Sequence, residues 1–141
     1  MDQKKIEELI DKAVEMMDYS YVPYSHFHVG AALLAGNGTV YGGCNIENAG
    51  YTPSNCAERT AFFKAVSEGV TEFEAICVVG GMNKELTDYA APCGVCRQVM
   101  MEFCDPDTFR IILAAGRERY EVFTLKELLP MGFGPKSLGV R

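Results

Sequence analysis

Two short stretches of this chain carry residues that could do chemistry. Cys56-Ala57-Glu58 sets a thiol and a carboxylate side by side, and Pro92-Cys93-Gly94-Val95-Cys96 sets two thiols three positions apart. Hydrophobic spacing predicts a helix starting at each of them. At a helix N-terminus the free backbone N–H groups and the positive end of the macrodipole stabilise negative charge. A thiolate is favoured over a thiol there, and the thiolate is the form that ligates zinc. Residues three apart on a helix face the same way, so Cys93 and Cys96 can meet one metal ion. If the two helix starts meet, Cys56 supplies a third sulfur. Three protein ligands leave one tetrahedral position open, the arrangement of a catalytic zinc site rather than a structural one.

Glu58 heads an apolar stripe that continues through Ala61, Phe62, Ala65 and Val66. A carboxylate on that face is expected to be buried, with its pKa raised. Metal-bound water is a natural partner for such a group, because a base beside it can take its proton and deliver it elsewhere. Three thiolates on Zn²⁺ leave a net negative charge that opposes acidifying the water. Arg59 is expected to offset it by hydrogen bonding to cysteine sulfur, with Arg97 as the other candidate.

Simpler readings exist for each feature. Cys93 and Cys96 could be a redox dithiol, which leaves Cys56 and Glu58 unexplained. A structural zinc knuckle in a nucleic-acid binder would want a fourth Cys or His. Glu58 could be the capping-box partner of Asn55. Cys44, Cys77 and Cys104 read as core thiols, and His26 and His28 as surface or partly packed side chains.

These residues must be positioned by one domain spanning 1–141. Helical spacing predicts a first helix over 3–18, a second from Asn55 or Cys56 to Glu68 closed by Gly69, and a third from Cys93 or Gly94 to Phe103. Strands are expected at 28–35, 39–44, 74–80, 109–115 and 120–124, with Asn37-Gly38 as a hairpin turn. Thr124 and Glu127 form a capping box for a short helix over 125–129, stopped by Pro130. The tail is expected to be irregular. The order α-β-β-α-β-α-β-β-α implies an α/β fold with a mixed sheet covered by helices.

The formal net charge of -6 disfavours a polynucleotide backbone as partner, since tracking one needs clustered Lys and Arg. Residues 1–19 hold no apolar signal core, and no run is long enough to span a membrane. A cytoplasmic protein with reduced cysteines is expected, and metal binding or catalysis is then the expected use of its thiols.

With these motifs in view, the sequence resembles the cytidine deaminase family in its short homotetrameric form. The superfamily signature is carried by C-A-E-R at Cys56–Arg59 and P-C-G-V-C-R-Q at Pro92–Gln98. Narrower matches are PYSHFHVGAA at Pro23–Ala32, GCNIENAGY at Gly43–Tyr51 and LLPMGFGP at Leu128–Pro135. The resemblance implies a three-layer α/β/α sandwich with a five-stranded mixed sheet. It implies one Zn²⁺ per chain on Cys56, Cys93 and Cys96, with Glu58 as proton shuttle. It assigns the ribose, chiefly its 3′-hydroxyl, to the segment Asn45-Ile46-Glu47 and the pyrimidine to Phe27 and the Ala57 backbone. Tyr51 and Phe133 complete the pocket, Phe133 from a neighbouring subunit of a tetramer with shared active sites. The implied reaction is hydrolytic deamination of free cytidine and deoxycytidine in pyrimidine salvage. Related deaminases of deoxycytidylate, guanine or tRNA adenosine usually carry His at the position of Cys56. A blasticidin-type deaminase shares C-A-E and PCGxCRQ, and the intact CNIEN and FHVGAA segments disfavour it.

Overall fold

The computed structural model describes residues 1–140. Its elements, in chain order, are α1 (Gln3–Met16), β1 (Phe27–Ala35), β2 (Val40–Cys44), α2 (Ala57–Ser67), β3 (Phe73–Met82), α3 (Gly94–Phe103), β4 (Arg110–Ala114), β5 (Tyr120–Thr124) and α4 (Leu125–Leu128). The sheet runs β2-β1-β3-β4-β5. β1 is antiparallel to both β2 and β3, β3 is parallel to β4, and β5 is antiparallel to β4. This is the expected order of elements and the expected mixed sheet.

Both faces of the sheet are covered, which is why its central strands read as continuous apolar runs rather than as alternation. Ala32, Leu34, Cys77, Val79 and Ile112 point to one face, where they meet Ile6, Leu9, Ile10 and Ala13 of α1. Their strand neighbours Ala31, Leu33, Ile76, Val78 and Ile111 point to the other, where α2, α3 and α4 supply Ala61, Phe62, Ala65, Met100 and Leu125. Three layers result. Asp2 caps α1 by accepting from Lys5 N at 2.8 Å, satisfying one of the donors a helix start leaves free.

Several boundaries differ from the sequence expectation. The first helix ends at Met16, and Met17–Tyr19 tightens into a 3₁₀ turn. β3 runs from Phe73 to Met82, longer at both ends than the apolar run, because β1 pairs with it from Ala35↔Phe73 to Phe27↔Met82. That pairing also starts β1 one residue early, at Phe27. Lateral hydrogen bonds of this kind leave no trace in hydrophobic pattern. The tail is not wholly irregular, since Pro135–Leu138 forms a 3₁₀ turn ended by Gly139 at φ 72°.

One glycine decides where α2 sits. A Cβ on Gly43 would lie 2.3 Å from Ala57 O and 2.7 Å from Ala61 N. Glycine there lets the first turn of α2 rest directly on β2, and that turn carries Cys56 and Glu58.

Candidate active site

α2 and α3 both begin beside the end of the sheet where β3 finishes and β1 starts. Cys56 is the N-cap residue of α2 and Cys93 that of α3. Cys96 follows one turn into α3. The Cys56 and Cys93 sulfurs lie 3.7 Å apart, those of Cys93 and Cys96 3.5 Å apart, and all three fall within 4.8 Å of one another. Tetrahedral zinc with Zn–S bonds of about 2.3 Å needs sulfurs about 3.8 Å apart. The donor set therefore fits the metal in both chemistry and spacing.

The three thiols do not titrate alone. Cys56 falls to a pKa of about 5: the Cys96 thiol donates to its sulfur, burial opposes this, and Arg59 and Cys93 add to it. The same hydrogen bond pushes Cys96 up, helped by burial and by the negative charges of Glu58 and Cys56. The Arg59 guanidinium favours negative charge on this cluster. Arg59 Nη2 donates to Cys56 Sγ at 3.2 Å. Desolvation alone would lower the Arg59 pKa, but hydrogen bonds to the Cys56 and Cys96 sulfurs raise it above its ordinary range. Arg97 does otherwise. It donates to Pro92 O at 2.8 Å and to Leu128 O at 2.5 Å, tying the start of α3 to the end of α4.

Glu58 is 4 % exposed, the single buried charged residue among those described. Burial raises its pKa to about 7, and the charge on Cys56 pushes the same way. No capping box with Asn55 forms. Cys56 occupies the cap, and Asn55 Nδ2 donates instead to Thr60 Oγ1 at 3.2 Å.

A cleft of about 460 Å³ opens over these groups, within the usual size range for small-molecule sites. Cys56, Ala57, Glu58, Arg59 and Cys93 line one side, Phe27, Val29, Asn45 and Glu47 another, and Ala90 and Ala91 a third. Asn45 ties the start of β1 in place. Its Oδ1 accepts from Val29 N and its Nδ2 donates to Phe27 O, both at 2.9 Å. Glu47 accepts from the backbone N–H groups of Tyr24 and Ser25 at 3.0 and 3.1 Å and from the Ser25 hydroxyl. That hydroxyl contact is the main cause holding the Glu47 pKa below its ordinary value.

A family model described as the cytidine and deoxycytidylate deaminase zinc-binding region matches residues 3–112. The chain belongs to this deaminase family. A cytidine deaminase from Sporosarcina psychrophila is 47% identical over 133 residues, 94% of each chain. One from Halalkalibacterium halodurans is 48% identical over 130 residues, covering 92% of this chain and 95% of that one. The crystal structure of cytidine deaminase from Burkholderia pseudomallei matches with a TM-score of 0.81 at 45% identity, over 89% of this chain and 97% of that one. Zinc is the cofactor of this deaminase family, and the cysteine cluster is the place for it here.

Within this deaminase chain, three residues expected at the substrate lie outside the cleft. Tyr51 is 77% exposed and Phe133 60% exposed. Ile46 contributes backbone, pairing with Asn55 and Tyr21, and its side chain is exposed. The sequence reading missed Val29, Ser54, Asn55, Ala90 and Ala91 as cleft residues. It also missed Gly80, where a Cβ would lie 2.9 Å from Ala90 Cβ and 3.2 Å from Phe27 Cε2. The Gly80-Gly81 pair ending an apolar strand was the available signal, since such glycines often mark a close approach.

Proposed function

We propose that the protein hydrolyses the exocyclic amine of free cytidine and 2′-deoxycytidine, giving uridine or 2′-deoxyuridine and ammonia. One observation carries the reading: a buried carboxyl, Glu58, stands on the helix that presents Cys56 to Cys93 and Cys96, at the wall of a nucleoside-sized cleft. Zinc held by the three cysteines, one ion per chain, would supply Lewis-acid activation of a water. Glu58 accepts a proton from that water and passes it to N3 of the pyrimidine as C4 is attacked. It then helps protonate the departing amine. In the metal-free fold burial raises this carboxyl's pKa to about 7, so its proton-holding form is within reach of a group that must take and give a proton. Arg59 offsets the negative charge of the sulfurs. Phe27 packs on the pyrimidine, the Ala57 backbone contacts its edge, and Asn45 and Glu47 receive the 3′-hydroxyl.

An esterified 3′-oxygen has no proton to donate to a carboxylate, which favours a free nucleoside over a polynucleotide. The net charge of -6 agrees with that choice. Exposed Phe133, whose carbonyl accepts from Gln98 Nε2 at 2.7 Å, is read as reaching the site of a neighbouring copy. Tyr51 is read as completing a pocket in the same assembly, a homotetramer with shared sites. We assign the enzyme to pyrimidine salvage in the cytoplasm, a reducing compartment suited to six unpaired thiols.

The test is zinc stoichiometry together with cytidine turnover followed by ultraviolet absorbance, beside Glu58→Gln. About one zinc per chain, conversion to uridine, and a loss of about 10²–10⁴-fold or more in the variant with zinc retained are expected. Zinc without turnover of either nucleoside would sink the reading and turn attention to blasticidin-type substrates.

A further inference from the structure

The sugar-side carboxylate of the cleft is held in an unusual way. Glu47 leaves the sheet edge on an exposed loop, where a glutamate would ordinarily sample many rotamers. Here both of its oxygens are engaged by one short segment. Oε1 accepts from Tyr24 N at 3.0 Å and Ser25 N at 3.1 Å, and Oε2 accepts from the Ser25 hydroxyl. The carboxylate has no proton to give, so the Ser25 hydroxyl is the donor in that last bond, and its own oxygen is left to accept. Phe27 N donates to Ser25 Oγ at 3.0 Å. His26 between them takes a left-handed conformation, φ 58°, which folds Ser25 back over Phe27 N.

An ionised carboxylate offers about four acceptor positions. Three on Glu47 are filled by donors of its own chain. One remains, on a side chain that lines the cleft. Ser25 therefore touches both expected substrate groups at once, the Glu47 carboxylate and the backbone of Phe27.

We propose that Ser25 is a positioning residue that sets Glu47, through its one remaining acceptor position, to read one sugar hydroxyl. The proposal rests on the reading of Glu47 as the acceptor for the 3′-hydroxyl. Without the Ser25 hydroxyl, Oε2 gains a second vacant position and the side chain loses a restraint. Binding that depends on the 3′-hydroxyl weakens, while binding of the pyrimidine does not.

The experiment measures inhibition constants of 2′-deoxyuridine and 2′,3′-dideoxyuridine against cytidine turnover by the zinc-loaded enzyme, for the wild type, Ser25→Ala and Ser25→Thr. Wild type is expected to bind the deoxynucleoside more tightly than the dideoxynucleoside. Ser25→Ala should shrink that ratio about 10-fold, the scale of a hydrogen bond to a charged group, raise KM for cytidine, and leave kcat within about 2-fold. Ser25→Thr keeps the hydroxyl and should restore the ratio. If Ser25→Ala weakens both inhibitors equally, or neither, the positioning role is overturned while the reading of Glu47 stands. If wild type itself binds the two inhibitors equally, the reading of Glu47 falls and the proposal with it.

Discussion

Glu58 and Cys56 are two residues apart, share one helix start and are shifted in opposite senses. Glu58 is raised to about 7 by burial first, and Cys56 is lowered to about 5 by the Cys96 hydrogen bond first. In the metal-free fold their contributions to stability therefore run against each other. That of Glu58 is fully present below its ordinary pKa of 4.5 and is lost as pH rises through about 7. That of Cys56 is present above its ordinary value of 9 and is lost as pH falls through about 5. The difference between wild type and Glu58→Gln isolates the first. Denaturant melts with chelator and reductant should show wild type losing about 3 kcal/mol relative to the variant as pH rises across this window. A difference independent of pH would mean that burial does not keep this carboxyl neutral.

Among the elements, α2 bears the site and is anchored one turn further on. Phe62 is wholly buried, with Phe73 edge-on at 5.0 Å and Phe109 and Phe103 at 6.1 and 6.3 Å between ring centroids. This cluster ties α2 to β3, to the end of α3 and to the entry of β4. Phe62→Ala should cost about 3–5 kcal/mol in denaturant unfolding. Glu58 precedes Phe62 by one helical turn, so zinc affinity should fall as well, read by competition with a chelator. A variant that is destabilised but holds zinc as tightly as wild type would show that α3 alone sets the metal site. Gly43 acts on the same helix from below, by admitting the Ala57 carbonyl where any side chain would collide.

At the scale of the whole molecule, Tyr51 and Phe133 are exposed and neither lines the cleft of its own chain, so under the proposed sharing of sites they would act on a neighbouring copy. Sharing of sites between copies has a direct test. Glu58→Gln and Phe133→Ala chains, each weakly active alone, are dissociated, mixed and reassembled. Shared sites predict recovery, because some pockets then combine an intact Glu58 from one chain with an intact Phe133 from another. Random mixing of equal amounts gives about a quarter of such pockets. No recovery on mixing would mean that each chain completes its own pocket.

Sequence alone determined the order and type of the elements, because strands buried on both faces and helices with one apolar stripe have different periods. It also determined the thiol set and the place of Glu58, since residue type, spacing and helix starts are local properties. The capping alternative for Glu58 was equally local, and it was removed only when tertiary packing put Cys56 at the cap and the carboxyl in the core. Tertiary structure also decided which arginine serves the sulfurs. Arg59 and Arg97 both follow a cysteine motif, but only the packing of α3 on α4 diverts Arg97 to Leu128 O. The extra length of β3, the wall made by Ala90 and Ala91, the approach allowed by Gly80 and the grip of Ser25 on Glu47 all join residues far apart in the chain. Such contacts depend on hydrogen bonding and close approach between elements, which hydrophobic periodicity does not encode.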